Sequence, residues 1–339
     1  MTVFTASLAD LRSESVRSLY DQLMARCKDI SHINGIGGIL HWDQEMGVLV
    51  GLLYDLQTSP IFGALLDELE YHKTTEDLSV ILNPYELANI RLSPKTYKEQ
   101  TLVPAEIAKA SAATTSKSVV AWTAARKESD FANLGLPESD ECYKGYYQGL
   151  MNIYETGFKE DRLQALFVDL KKHLIPLIAK IKAQNYQHDN SVLLADYDIK
   201  RQTEFSHALS KQIGFDTNSG HLDVSTHPFS GGAHPTDIRM ATRYAINNIQ
   251  NGIENTVHET GHSVYEQGRN MAYIDLPVSM ALSLGIHESL FFGKVERMVG
   301  LIRPFWTYAL PLLKEKFPEN EGLQVILTAD KMEESVGAG

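Results

Sequence analysis

The chain has 339 residues, of which 43% are hydrophobic and 22% are charged, a composition typical of a soluble globular protein. Its 43 acidic residues outnumber 31 basic ones, and the net charge of −12 argues against nonspecific binding to nucleic acid. The N-terminus lacks the apolar core of a signal peptide, and no apolar run approaches the length of a membrane span. Two cysteines, Cys27 and Cys142, favour reduced thiols over a disulfide framework. We therefore expect a cytoplasmic protein without a membrane partner.

Apolar residues recur at helical spacing over most of the chain, so the sequence predicts a mainly α fold with at most a small β element. Residues 34–38 are rich in glycine but lack the third glycine of a phosphate loop, which favours a turn or a close helix contact. Residues 214–237 are predicted to form loops and short strands, and 240–244 one short strand. Helical patterns cover residues 8–30, 47–72, 83–134, 161–184, 199–213 and 304–316.

The most informative motif is HETGH at residues 258–262. On a helix, His258 and His262 lie one turn apart on the same face, where both imidazoles can reach one tetrahedral Zn²⁺. Glu259 projects about 100° away around the helix axis, in the position of a general base for the water at the metal. Ile246, Ile249, Ile253 and Val257 upstream form an apolar stripe beside the histidine face, and Gly268 downstream is a plausible C-cap, so both flanks support a helix. The alternative interpretation is a helix that carries two histidines by chance.

A zinc site with two histidines needs a third protein ligand and an open fourth position. The best candidate is Glu288, in the sequence GIHES at 285–289, which is predicted to lie on a second helix. Three other acidic residues compete with it: Glu266, Asp275 and Glu296. Glu266 follows His262 by four residues on the same helix face, where a supporting or surface role is the simpler interpretation. Spacing alone leaves the choice open.

Several motifs in order resemble the carboxypeptidase Taq family of zinc metallocarboxypeptidases. The resemblance rests on HETGH at 258–262 with YEQG at 265–268, GIHES at 285–289, HPF at 227–229, DIR at 237–239, ILHWDQE at 39–45 and YELAN at 85–89. It implies a helical zinc-peptidase fold with a deep cleft. It also implies that the family continues past this C-terminus, so that residues 1–339 form a single peptidase domain without the C-terminal part of the family fold.

Carried over position by position, the resemblance makes His258, His262 and Glu288 the metal ligands and Glu259 the base. His227 and Arg239 become candidates for substrate binding. The implied cofactor is one Zn²⁺ per chain, with Co²⁺ or Mn²⁺ as possible substitutes, and the implied partners are peptide substrates and a second copy in a homodimer. The chain departs from the family at Ala241, where a threonine is expected.

The function that follows is removal of the C-terminal residue of peptides by a zinc-dependent metallocarboxypeptidase. Two alternatives remain at this point. One is a related endo-oligopeptidase or aminopeptidase, because the HETGH motif does not distinguish these activities. The other is a shortened, inactive relative that binds metal only.

Overall fold

The computed structural model describes residues 11–42, 47–104, 106–107, 151, 154–155, 157–184, 189–281, 283–291 and 303–326. The expectations for Cys142, Glu296 and the second half of the helical pattern at 83–134 lie outside these residues. Residues 43–45 of the ILHWDQE motif lie outside them as well.

Helices dominate the described residues, and three short strands form one sheet. The predicted mainly α fold with a small β element is confirmed. The helices are α1 (Val16–Trp42), α2 (Gly47–Gln57), α3 (Pro60–Thr75), α4 (Pro84–Thr101), α5 (Glu160–Ala183), α6 (Ile199–Ile213), α7 (Ile249–Gln267), α8 (Leu284–Phe291), α9 (Arg303–Lys316) and α10 (Glu321–Val325). The strands are β1 (Gly220–Val224), β2 (Phe229–His234) and β3 (Asp237–Thr242).

The chain divides into two compact units. The first comprises residues 1–134, 232–237 and 269–280, and the second comprises 135–231, 238–268 and 281–339. The expectation of a single peptidase domain over residues 1–339 stays a prediction.

The core of the first unit is formed by α1, α3 and α4. Leu19 and Leu23 of α1 meet Leu65 and Leu69 of α3, and all four are fully buried. Asn83 caps α4 by accepting from two backbone amides of its first turn, while Glu86 reaches back to the Asn83 amide. This capping box explains why the predicted helix begins at Pro84, and Pro94 lies inside that helix rather than ending it.

The glycine-rich residues 34–38 lie inside α1, so the predicted turn is wrong and the predicted close contact is right. A Cβ on Gly35 would lie 2.7 Å from the backbone oxygen of Ala233, and one on Gly38 would lie 2.9 Å from that of Gly232. The absence of a Cβ at Gly35 and Gly38 therefore lets the helix approach the backbone of residues 232 and 233 closely. A phosphate-binding loop does not form at these residues.

Gly35→Ala should lower the free energy of unfolding by about 1–2 kcal/mol, since overpacking against backbone outweighs the gain in helix propensity. The midpoint of urea unfolding measures this loss. Gly231→Ala is the matched control, because a Cβ there meets nothing within 4 Å and φ is not positive. Equal midpoints for Gly35→Ala and the unmodified chain would contradict the close approach.

The stretch Leu49–Thr75 is long and apolar enough to cross a membrane by length and composition alone. The expectation that no apolar run approaches a membrane span is therefore wrong. The stretch contains two helices, since α2 ends at Gln57 and α3 begins at Pro60. Phe62, Leu65 and Leu69 of α3 are buried in the core of the first unit. The absence of a membrane partner stays a prediction.

The main core of the second unit packs α6, α7 and α9 together. Ile249, Ile253 and Val257 form the apolar stripe of α7, and all three are buried. They share one cluster with Phe205 of α6 and Trp306 of α9. Three of the four residues of the predicted stripe thus fix α7 in the core, whereas the prediction for Ile246 is wrong, because Ile246 precedes α7 and is 57% exposed.

Buried hydroxyl groups line the contact between α6 and α7. Thr256 Oγ1 donates to Ser206 Oγ at 3.0 Å, and Thr260 Oγ1 lies 3.1 Å from Ser210 Oγ. Small side chains at these positions let the two helices pack closely, and the hydrogen bonds satisfy the buried oxygens. These contacts hold one face of α7 against α6, so they fix the rotation of α7 about its own axis. The direction in which its two histidines project is fixed with it.

The small sheet has the strand order β1-β3-β2, with β1 parallel to β3. Ile238 and Met240 of β3 are buried with Leu222 of β1 in a separate small cluster. The strand predicted at 240–244 begins and ends earlier, at Asp237 and Thr242.

Helix α5 carries an apolar surface that is not buried. The predicted amphipathic helix at 161–184 forms, but none of its residues, all of which the structure describes, is buried. Nine large apolar side chains are at least 41% exposed: Leu166, Phe167, Val168, Leu170, Leu174, Ile175, Leu177, Ile178 and Ile181. A contiguous surface of this kind marks a site of interaction.

Candidate metal centre

Two helices of the second unit supply the predicted ligands. His258 and His262 lie on α7, whose end at Gly268 agrees with the predicted C-cap. Glu288 lies on α8, which begins after Ser283. The hydroxyl of Ser283 accepts from the amide of Ile286 and donates to Glu155 at 2.8 Å. This cap fixes the first turn of α8 and therefore the position of Glu288 one turn later.

The three predicted ligand side chains converge. His258 Nε2 and His262 Nε2 are 3.3 Å apart, and Glu288 Oε2 lies 3.9 Å and 3.6 Å from them. A point equidistant from three atoms at these separations is at least about 2.1 Å from each, in the range of Zn–N and Zn–O bonds. The donor set therefore fits a divalent metal of this size. Among the described residues, no other set of acidic, histidine or cysteine side chains converges in this way.

The three ligand side chains differ in their exposure to solvent, and the cluster is open to solvent on the side of His258 and Glu288. The His262 side chain is only 9% exposed, whereas those of His258 and Glu288 are 30% and 49% exposed. Burial and the neighbouring His287 lower the pKa of His262 to about 4, so its ring is neutral at pH 7. A neutral imidazole keeps the lone pair that a metal requires.

Glu259 is buried beside the cluster. Burial raises the pKa of its carboxyl group to about 7, opposed by His258 and by a hydrogen bond from Ser230 of β2. A carboxylate with a pKa near neutrality can take and return a proton during one reaction cycle. Ser230 was not identified from the sequence, because a serine in a glycine-rich strand gives no signal of its own.

The competing acidic residues lie elsewhere. Glu266 accepts a hydrogen bond from His287 Nε2 at 3.1 Å and is absent from the converging set. Asp275 belongs to the first unit, where Ser31 donates to it at 3.2 Å. Glu296 lies outside the described residues. The geometry therefore favours Glu288, which spacing alone left undecided.

The two predicted substrate-binding residues lie on or beside the sheet. His227 is exposed in the connection between β1 and β2, and its carbonyl accepts from Ser225 Oγ. Arg239 is half-buried on β3, where it pairs in register with His221 of β1. Arg239 alternates with the buried Ile238 and Met240, so its side chain leaves the other face of the strand. Their roles in substrate binding stay predictions.

Known proteins match most of the chain. The family model of the carboxypeptidase Taq (M32) metallopeptidases matches residues 22–335. Carboxypeptidase 1 of Bacillus subtilis is 29% identical over 320 residues, which cover 86% of this chain and 62% of that protein. Thermostable carboxypeptidase 1 of Thermus thermophilus is 28% identical over 335 residues, covering 88% and 64%.

Solved structures match the fold over nearly the whole chain. The crystal structure of BsuCP superposes with a TM-score of 0.82 at 25% identity, over 95% of this chain and 67% of that one. Metallocarboxypeptidase 1 of Trypanosoma cruzi gives a TM-score of 0.75 at 25% identity, over 94% and 67%. The chain spans less than two thirds of the length of the curated relatives it matches. The family match covers far more than half of the sequence, and the chain belongs to the carboxypeptidase Taq (M32) metallopeptidase family.

Proposed function

We propose that this chain is a metal-dependent carboxypeptidase that hydrolyses the C-terminal peptide bond of peptides. The observation that carries the proposal is the convergence of His258, His262 and Glu288 beside the buried carboxyl group of Glu259. Relatives that are named carboxypeptidases support the substrate class.

We assign metal binding, proton transfer and substrate binding to different residues of the chain. His258, His262 and Glu288 would hold a divalent metal, which supplies an acidified water and a polarised scissile carbonyl when it is bound. Glu259 takes the proton of the attacking water and delivers it to the leaving amine. Ser230 holds the Glu259 carboxylate in place by donating to it. His227 and Arg239 are proposed to bind the substrate, since a terminal carboxylate requires a cation such as a guanidinium.

We propose Zn²⁺ as the metal, because two imidazoles and one carboxylate are ligands that zinc prefers in a catalytic site. Co²⁺ and Mn²⁺ are proposed as substitutes that the same donors accept. We also propose a cytoplasmic location, which agrees with the free, buried thiol of Cys27. The deep cleft expected for the family stays a prediction.

Metal analysis combined with product analysis tests the function. The purified chain should contain one Zn²⁺ and release the last residue of a peptide with an acetylated N-terminus. Internal cleavage would indicate an endo-oligopeptidase, and cleavage only of peptides with a free N-terminus would indicate an aminopeptidase. A zinc-loaded protein that cleaves no peptide would leave the inactive relative as the correct interpretation.

We further propose that two copies form a homodimer through the exposed face of α5. Acidic Glu160 and Asp161 lie in the first turn of this helix, and basic Lys180 and Lys182 lie in its last turn. Antiparallel pairing of two copies places these opposite charges together and covers the apolar residues, as a two-fold symmetric interface requires. The helix is about 36 Å long, enough for such a contact.

Leu174→Glu should convert the dimer to a monomer in analytical ultracentrifugation, because it places a charge within the apolar face. Lys172→Glu, on the opposite side of the helix, is the matched control and should leave the dimer intact. If the unmodified chain is monomeric at micromolar concentration, the homodimer is wrong.

A further inference from the structure

We propose that Glu266 and His287 form a positioning pair that fixes the ring orientation and tautomer of the metal ligand His262. The pair does not contact the metal. The inference rests on the proposed metal centre and adds two residues that act through one of its ligands.

The pair forms a continuous chain of polar contacts behind His262. His262 Nε2 faces the other two ligands, and its Nδ1 lies 2.7 Å from Nδ1 of His287. His287 Nε2 lies 3.1 Å from Oε1 of Glu266. The two imidazole planes are inclined by only 24°, with centroids 4.6 Å apart. The two rings are therefore stacked with an offset, and their Nδ1 atoms lie at hydrogen-bond distance.

Only one arrangement of protons satisfies both contacts when the rings are neutral. An ionised carboxylate can only accept, so His287 carries its proton on Nε2 and donates to Glu266. The lone pair on His287 Nδ1 then accepts from Nδ1–H of His262. This leaves the Nε2 lone pair of His262 directed at His258 and Glu288, which is the form that binds a metal.

The surroundings hold the pair in place. The side chains of His287 and Glu266 are only 14% and 25% exposed. The ring of Tyr265 packs edge-on against His287, with centroids 4.7 Å apart. Glu266 lies one turn after His262 on α7, and His287 precedes the ligand Glu288 on α8. The contact between the pair therefore joins the two helices that supply the ligands.

The test measures metal binding rather than turnover. Metal-free protein is titrated with Zn²⁺ against a chromophoric chelator, and Co²⁺ loading gives a visible spectrum that reports ligand geometry. His287→Phe keeps a ring of similar size without nitrogens and should weaken Zn²⁺ binding about 10–100-fold. Glu266→Gln should weaken it about tenfold, because an amide can donate to His287 and stabilise the wrong tautomer.

Two further variants distinguish the loss of a positioning hydrogen bond from a general disturbance of the structure. His287→Asn places an acceptor near the former Nδ1 and should lose less affinity than His287→Phe. Glu254→Gln is the matched control, since Glu254 is exposed on the same helix and accepts a hydrogen bond from Gln250 one turn earlier.

The experiment distinguishes failure of the positioning pair from failure of the metal centre. Zinc affinity within twofold of the unmodified chain in both His287→Phe and Glu266→Gln would overturn the positioning pair and leave the metal centre standing. Failure of the unmodified chain to bind Zn²⁺ would overturn the metal centre, and the pair with it. If His287→Phe does not fold by circular dichroism, Glu266→Gln, which preserves shape and volume, decides the question.

Discussion

Glu259→Gln should lower the rate of peptide hydrolysis by at least about 10³-fold, because the amide cannot take the proton of the attacking water. The metal should remain, since Glu259 is not among the three converging ligand side chains. The change is nearly isosteric, so Ser230 keeps a partner in the variant. Single-turnover release of the C-terminal residue and zinc content by mass spectrometry measure the two effects separately.

Glu254→Gln serves as the control for this variant, because it makes the same chemical change at an exposed position on α7. Its activity should equal that of the unmodified chain. Retention of full activity by Glu259→Gln would refute the assignment of the base. Loss of both activity and zinc would instead show that Glu259 contributes to holding the metal.

The same substitution should stabilise the metal-free chain at alkaline pH. The carboxyl group has a pKa of about 7 in the folded chain and an ordinary value of 4.5. Ionisation above pH 7 is therefore unfavourable in the folded state, and the chain loses stability as the pH rises from 4.5 through 7. Glu259→Gln removes this cost, which amounts to up to about 3 kcal/mol at pH 8.

Urea unfolding of chelator-treated protein at several pH values measures this gain. The variant and the unmodified chain should have equal midpoints at pH 4, where the carboxyl group is neutral in both states. At pH 8 the variant should unfold at the higher midpoint. A difference that does not change between these pH values would show that the burial of Glu259 carries no electrostatic cost.

The sequence predicts the local part of the metal centre well, for a physical reason. The two histidines lie four residues apart on one helix, so a pattern of five residues determines their relative positions. The predicted stripe identifies the buried side of the helix at Ile249, Ile253 and Val257, although its first residue, Ile246, precedes the helix and is exposed. Helix α6, predicted at 199–213, has those same bounds in the structure because Asp198 caps its start and Gly214 its end.

The parts that depend on packing between elements are not determined by local patterns. Glu288 competes with three other acidic residues in the sequence, and only the placement of α8 beside α7 separates them. The role of Glu266 depends on His287, which is 21 residues away in the chain. The periodicity of α5 predicts an amphipathic helix correctly, but it contains no information about what covers the apolar face.

Trp306→Ala should lower the free energy of unfolding by about 3–5 kcal/mol, the usual cost of removing a large aromatic side chain from a core. Trp306 is 2% exposed and belongs to the cluster that contains the apolar stripe of α7. Its indole nitrogen has no hydrogen-bond partner within the described part of the chain. Trp306→Phe should cost far less, because it keeps most of the apolar contact and removes that unsatisfied N–H group. Urea midpoints of the two variants compare these costs.

The stabilisation that zinc adds on binding provides a control, because it shows whether a change at Trp306 affects the metal centre as well as the core. A metal that binds only the folded chain stabilises it by about 2.7 kcal/mol at a hundredfold excess over its dissociation constant. This increment should be the same in Trp306→Phe and the unmodified chain, because the ligands and the residues behind them are unchanged. A smaller increment in Trp306→Phe would show that the packing of α9 reaches the ligand geometry through α6 and α7. A loss below about 1 kcal/mol in Trp306→Ala would contradict the placement of Trp306 in the core.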